Sequence, residues 1–211
     1  MGMPPFDLEA WIATVATNPA ILQAGEVVLR RRAEAVPPSM LGTAGLAQFV
    51  SIMVDVMRAA PGVGLAAPQI GVPLRVFVAE DSEERMAHVS AEARAVRVRT
   101  ALPLIAIVNP VVVATSDSEA TFFEGCLSVR GYGALVRRAA AVDLSGVDPK
   151  GMPISMHLRG WPARIAQHET DHLDGTLYVD RMISRSLSCD AELARWGARS
   201  VQDVIDELVD G

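Results

Sequence analysis

The chain has 211 residues, 50% of them apolar and 21% charged, which suits one sizeable core in one domain and excludes a disordered chain. Nineteen Lys and Arg against 25 Asp and Glu leave a net charge of −6 and a pI near 5.2, which argues against a nucleic-acid-reading face. No apolar run reaches the ~20 residues of a membrane span. The start "MGMPPFDLEAW" lacks the basic-then-apolar layout of a signal peptide, and Phe6 breaks the myristoylation pattern.

Along the chain, residues 6–18 read as a short amphipathic helix, and "VVLRRRAEAVPP" leads into a loop. From about 43 to 60, Leu46, Phe49, Val50, Met53 and Met57 recur at helical spacing, and Pro61-Gly62 ends that helix. Strands are expected at 75–79, 104–108 and 111–114, then in a segment running into Cys126, at 134–144 and at 153–158. The charged stretch 80–103 interrupts this series and reads as a surface insertion with some helical character. Gly160-Trp161-Pro162 opens a helix that ends near Gly175. A last strand, "LYVD", and a polar helical tail at roughly 190–209 follow. Strands and helices without βαβ alternation point to an α+β fold.

The chemistry concentrates in "QHETDHLDG", Gln167 to Gly175. Positions four apart share a helix face, so His168 and His172 can aim ring nitrogens at one metal ion. Glu169 sits about 100° round the helix and can reach a water polarised by that ion, taking and returning its proton. Two histidines hold a metal weakly, so a third ligand is expected. The extended metalloprotease pattern would place a histidine where this chain has Tyr178. His88 falls in the charged insertion and His157 in a strand. Cys126 in "EGCLS" is the better candidate, because a thiolate with two imidazoles leaves a fourth position open, as in catalytic sites. Cys189 lies in the polar tail and is not expected to close the site. Two cysteines do not make a disulfide framework, so a reduced, cytoplasmic setting is expected. In "PGVGLAAPQIG", Gly62 and Gly64 permit a sharp turn and close approach, and Gln69 offers an amide to a developing oxyanion. Asp171 is expected to orient a ligand or anchor the helix.

Taken together, "GVGLAAPQ", "EGCLS" and "QHETDH", in that order, resemble the three signature motifs of the peptide deformylases. The likeness extends from "VVLRRRAEAV" to "GTLYVDRM", about three-quarters of the chain. It implies antiparallel or mixed sheets packed around a central helix carrying H-E-x-x-H, with a C-terminal helix. Residues 1–211 would then form one catalytic domain, with 80–103 a surface insertion and 186–211 a tail. It implies removal of the formyl group from N-formylmethionyl nascent peptides, releasing formate, with the ribosome a further candidate partner. Family members also occur in organelles, but Asp7 and Glu9 make this start a poor transit peptide, so a bacterial cytoplasm is expected. The charge and apolar pattern above argue against nucleic-acid reading and a membrane.

Carried over by position, Cys126, His168 and His172 would be the metal ligands and Glu169 the general acid/base. Gln69 and the backbone N–H of Leu127 would stabilise the tetrahedral intermediate. The resemblance implies one divalent ion, natively Fe2+, with Zn2+, Ni2+ or Co2+ able to take its place, and a Cys/His₂ set suits several of these. Trp161 and Ile165 stand two turns and one turn before His168 and suit an apolar pocket for methionine, while Val63, Gly64 and Gly125 suit a peptide bound as an added strand. The stretch "EGCLSVRGYGALVRR" departs from many bacterial members, which have proline after "EGCLS" plus one residue. Arg130, Gly131 and Tyr132 resemble organellar-type members instead. Two other readings remain at this level: a protease cutting internal bonds, and a non-enzymatic metal-binding relative.

Overall fold

Helix α1 (Leu8–Thr14) is capped by Asp7, whose carboxylate accepts the Ala10 N–H at 2.9 Å, and Trp11 meets Phe49 edge-on. The structure, a computed structural model, describes residues 6–15, 19–60, 62–196 and 199–209, so the end of the helix expected over 6–18 lies outside the described residues. Helix α2 (Ala44–Ala59) begins at Thr43, whose hydroxyl accepts the Leu46 N–H at 3.3 Å. Its stripe of Leu46, Phe49, Met53 and Met57 is fully buried.

That stripe rests on a five-stranded antiparallel sheet ordered β1-β2-β3-β6-β7, from β1 (Gly64–Ala66), β2 (Val76–Asp81), β3 (Leu102–Ala114), β6 (Ala141–Val147) and β7 (Pro153–Arg159). Strand β2 is covered on both faces: Val76 and Val78 pack with α2, Phe77 and Ala79 with the opposite layer. This is why "VFVA" reads as a continuous apolar run. The opposite layer includes α4 (Gly160–Leu173), which packs Ala163, Ile165, Ala166 and Leu173 into the core and also touches the second sheet. The second sheet is antiparallel and three-stranded, ordered β4-β5-β8, from β4 (Glu119–Cys126), β5 (Val129–Ala139) and β8 (Ser188–Cys189). Helix α4, the bearer of H-E-x-x-H, thus meets strands of both sheets. The tail supplies α5 (Asp190–Trp196) and α6 (Val201–Val204), and Trp196 and Val204 bury against Leu135.

Four expectations are corrected. The strands expected at 104–108 and 111–114 are one strand, bent where Pro110 interrupts the ladder and Asn109 takes φ 52°. The Asn109 amide repairs the bend by exchanging two 2.9 Å hydrogen bonds with the Val36 backbone. The strand expected at 134–144 is two, because the chain leaves the small sheet for the large one at Ala140, and side-chain alternation carries no mark of a change of sheet. "LYVD" is a 3-10 turn at Tyr178–Asp180 rather than a strand, closed by the Asp180 carboxylate accepting the Leu177 N–H at 2.8 Å. The stretch 80–103 is no plain surface insertion. Glu80 and Asp81 finish β2, Leu102 begins β3, Met86 is fully buried, and Arg99 grips the buried Asp81 with bonds of 2.7 and 3.0 Å. Its helical character resides in α3 (Ala91–Arg97).

The start of α4 is locked to that stretch. Gly160 has φ +60°, and a Cβ there would lie 2.4 Å from the Val98 carbonyl oxygen. Gly160→Ala is therefore expected to destabilise the fold by roughly 2–3 kcal/mol, from left-handed strain plus a backbone clash. Urea unfolding measures this, and an unchanged midpoint would contradict the packing described.

Candidate metal centre and active-site cavity

Helical spacing places His168 and His172 side by side, with ring centroids 5.0 Å apart. Strand β4 ends by delivering Cys126 to them, its Sγ 3.3 Å from His172 Nε2. One donor atom each from Cys126, His168 and His172 lie within 4.8 Å of one another. Tetrahedral bonds of ordinary length to sulfur and nitrogen would put those donors about 3.5 Å apart, so the set fits a divalent ion with modest closure. His157 is exposed and pairs with Asp143, while His88 sits exposed at a cavity rim. Cys189 is exposed and belongs to no such group among the described residues. Tyr178 packs its ring nearly parallel to His168 and donates its hydroxyl to the Tyr132 carbonyl at 3.0 Å.

Behind the histidines lies a buried charge cluster. Glu124 Oε2 stands 2.9 Å from His168 Nδ1, an arrangement that turns Nε2 toward Cys126. Arg138 donates to both Glu124 oxygens at 2.6 and 2.9 Å, and Arg164 adds a further bond to Oε1. Burial opposes charge on Glu124, but the hydrogen bonds from His168 and Arg138 outweigh it and hold the carboxyl well below the usual carboxylate range. Asp171 does anchor the helix: it accepts Arg138 at 2.8 Å and both arms of Arg181 at 2.7 and 2.8 Å. In the metal-free protein, burial, with the charges of His168 and Arg138 nearby, pushes the His172 imidazole well below its ordinary value.

Glu169 faces the other way. Its Oε2 is buried with no hydrogen-bond partner among the described residues, and burial pushes the carboxyl up to about 7 despite His168 and Arg138. The glycine-rich loop makes the space: a Cβ on Gly64 would come within 2.2 Å of Glu169 Oε1. Gln69 is held from both ends. Its Oε1 accepts the Ala66 N–H at 2.8 Å, and its Nε2 reaches Ser128 Oγ at 3.2 Å and Cys126 Sγ at 3.7 Å. The Ser128 N–H also points at Cys126 Sγ, 3.4 Å away.

These groups open on a cavity of about 1060 Å³ whose lining includes Val63, Gly64, Gly125, Leu127, Trp161 and Ile165. Gln69, Cys126, His168 and Glu169 line the same cavity, with His172 behind the wall beside Cys126. Val63 bonds its carbonyl to the Glu80 N–H, so alternation along β1 turns the Gly64 backbone to the open sheet edge. Sequence reasoning missed Glu124, Ser128, Arg138 and Arg164, and also Arg85, His88 and Arg99, which the 80–103 stretch adds to the cavity wall. One signal was available: Glu124 is a lone charge inside the apolar strand "TFFEGC".

The family model described as polypeptide deformylase matches residues 19–188. The chain belongs to the polypeptide deformylase family. It is 50% identical over 190 residues to peptide deformylase 3 of Streptomyces avermitilis, covering 90% of this chain and 82% of the relative. It is 46% identical over 168 residues to the chloroplastic/mitochondrial peptide deformylase 1A of Arabidopsis thaliana, covering 80% of this chain but spanning only 62% of that relative's length. Among solved structures, the Met-Ala-Ser-bound class I type b peptide deformylase of Acinetobacter baumannii superposes with a TM-score of 0.70 at 30% identity, covering 78% of this chain and 98% of that one. The deformylase fold therefore accounts for both sheets and the helix between them.

Two outcomes follow from this geometry. Glu124→Gln keeps the shape but removes the charge behind His168, and should weaken metal binding about 10–100-fold in a chelator competition. Glu169 holds its proton in the folded state up to about 7 but releases it near 4.5 when unfolded. The folded state then binds more protons across that window, so this group costs stability as pH rises through it, by roughly 3 kcal/mol when complete. Metal-free Glu169→Gln should escape that cost. In urea unfolding it should match wild type at about pH 4 and exceed it at about pH 8; parallel pH profiles would refute the assignment.

Proposed function

We propose that this chain hydrolyses the formyl amide of N-formylmethionyl peptides, releasing formate and a free amino terminus. The observation that carries the reading is a Cys/His/His donor set beside a buried carboxylate without a partner, in a member of the deformylase family. Cys126, His168 and His172 hold one divalent ion, natively Fe2+ with Zn2+, Ni2+ and Co2+ as substitutes, which supplies Lewis acidity toward the formyl carbonyl and toward water. Glu169 takes a proton from the attacking water and returns it to the amine as the C–N bond breaks, a task suited to a buried carboxyl that faces the cavity. Gln69 Nε2 and the Leu127 N–H donate to the oxygen that becomes negative as the carbonyl turns tetrahedral.

The peptide lies along the open edge of β1 beside Val63 and Gly64, with Gly125 opposite, and its methionine side chain enters the apolar wall of Trp161 and Ile165. The open edge and the cavity lining support this placement. Residues 1–211 act as one catalytic domain on nascent chains at the ribosome in a bacterial cytoplasm; of this setting, the Streptomyces relative supports the bacterial part. No helix among the described residues is long and apolar enough to cross a membrane.

Protein loaded anaerobically with iron or nickel should release formate from formyl-Met peptides and leave unformylated peptides intact. Glu169→Ala should lower kcat by about 10²–10⁴-fold with metal content retained. Wild-type protein that carries metal and yields no formate would end this reading, and cleavage of unformylated peptides would move it to an internal-bond protease.

A further inference from the structure

Leu127 and Ser128 are the turn residues of the hairpin between β4 and β5, whose ladder closes at the Cys126–Val129 pair. Peptide groups in such a turn have no sheet partners and must be satisfied from elsewhere. A strap of irregular chain at 19–26, some hundred residues earlier, supplies them. The Ala24 N–H donates to the Ser128 carbonyl at 2.7 Å. Gln23 Nε2 donates to the Leu127 carbonyl at 3.0 Å, and Gln23 Oε1 accepts the Arg130 N–H at 3.3 Å. One residue earlier, the Leu22 N–H donates to the Gln69 carbonyl at 2.8 Å. Gln23 Nε2 also touches the Ile21 carbonyl at 3.2 Å, which sets its direction within the strap. A single half-buried amide therefore clasps both limbs of the turn, while its neighbour holds the loop that carries Gln69.

We propose that Gln23 is a positioning residue for deformylation: its clasp on Leu127 and Arg130 fixes the turn so that the Leu127 N–H and Gln69 Nε2 converge on one oxygen. The proposal rests on the deformylase reading above. Gln23 touches neither the metal donors nor, on this placement, the peptide. Its loss acts on the orientation of donors needed most in the transition state, so kcat should suffer more than KM.

The test compares full-length wild type with Gln23→Met, of similar length but without hydrogen bonds, and Gln23→Glu, which keeps the acceptor for Arg130 and cannot donate to Leu127. Each is loaded anaerobically with nickel and assayed for formate release, metal content, thermal midpoint and local amide hydrogen exchange. Both variants should lose about 10–100-fold in kcat, with KM within about twofold. Metal content and midpoint should stay near wild type, and exchange should quicken at 125–130 while the rest of the chain is unchanged. Wild-type kcat in Gln23→Met, full rescue by Gln23→Glu, or a rate loss matched by lost metal or global stability would each overturn the proposal. If wild type released no formate the deformylase reading would fail by itself, and exchange at 125–130 would still decide whether Gln23 holds the turn.

Discussion

A carboxylate that is both buried and ionised must be surrounded by donors, and Glu124 is where this constraint acts on the fold. Removing such a charge from water costs several kcal/mol, which its partners must offset. Arg138 binds both of its oxygens, Arg164 one, and His168 approaches the other. These partners come from β5 and α4, while Glu124 belongs to β4. The charge network is therefore also the joint between the small sheet and the helix that bears the histidines. Asp171 extends the joint through Arg138 to Arg181, beyond the end of α4. A half-satisfied network of this kind is worse than an apolar core, so its members constrain one another.

Two glutamates close to the same histidine have opposite protonation behaviour, and environment alone separates them. Glu124 is held ionised by cationic donors, whereas Glu169, equally buried, faces a glycine and a cavity and is pushed up to about 7. The first suits orientation of a ring; the second suits the carriage of a proton. Gly64 matters here for the atom it lacks, since any side chain would occupy the place of the Glu169 carboxylate.

The walls of the cavity come from distant stretches of chain. Arg85 from the 80–103 stretch donates to the Gly62 carbonyl, and the 19–26 strap ties the Gln69 loop to the Cys126 turn. Arg97, Arg99 and Arg164 stand 5.4–5.9 Å from the Trp161 ring, so the proposed methionine wall is backed by guanidinium groups as well as by core. A stretch that reads as charged surface thus shapes the site, because arginine can stack its plane on an aromatic ring while hydrogen-bonding a carboxylate.

Local periodicity was enough to place α2, a first-turn proline to open α4, and the three motifs to name Cys126, His168, His172, Glu169 and Gln69 as candidates, because such signals lie in short spacings or fixed loop sequences. Periodicity could not tell that 134–144 changes sheets at Ala140, since alternation is the same in both, nor that Leu177 and Tyr178 are buried without a ladder. It had no means of pairing Glu124 with Arg138 and Arg164, or Gln23 with Leu127. Those partners lie 14, 40 and 104 residues apart. By itself the sequence determined which side chains are the candidates for chemistry. Which charges and amides hold those atoms in place was decided only by the tertiary structure, because a hydrogen bond between distant residues has no period to leave in the chain.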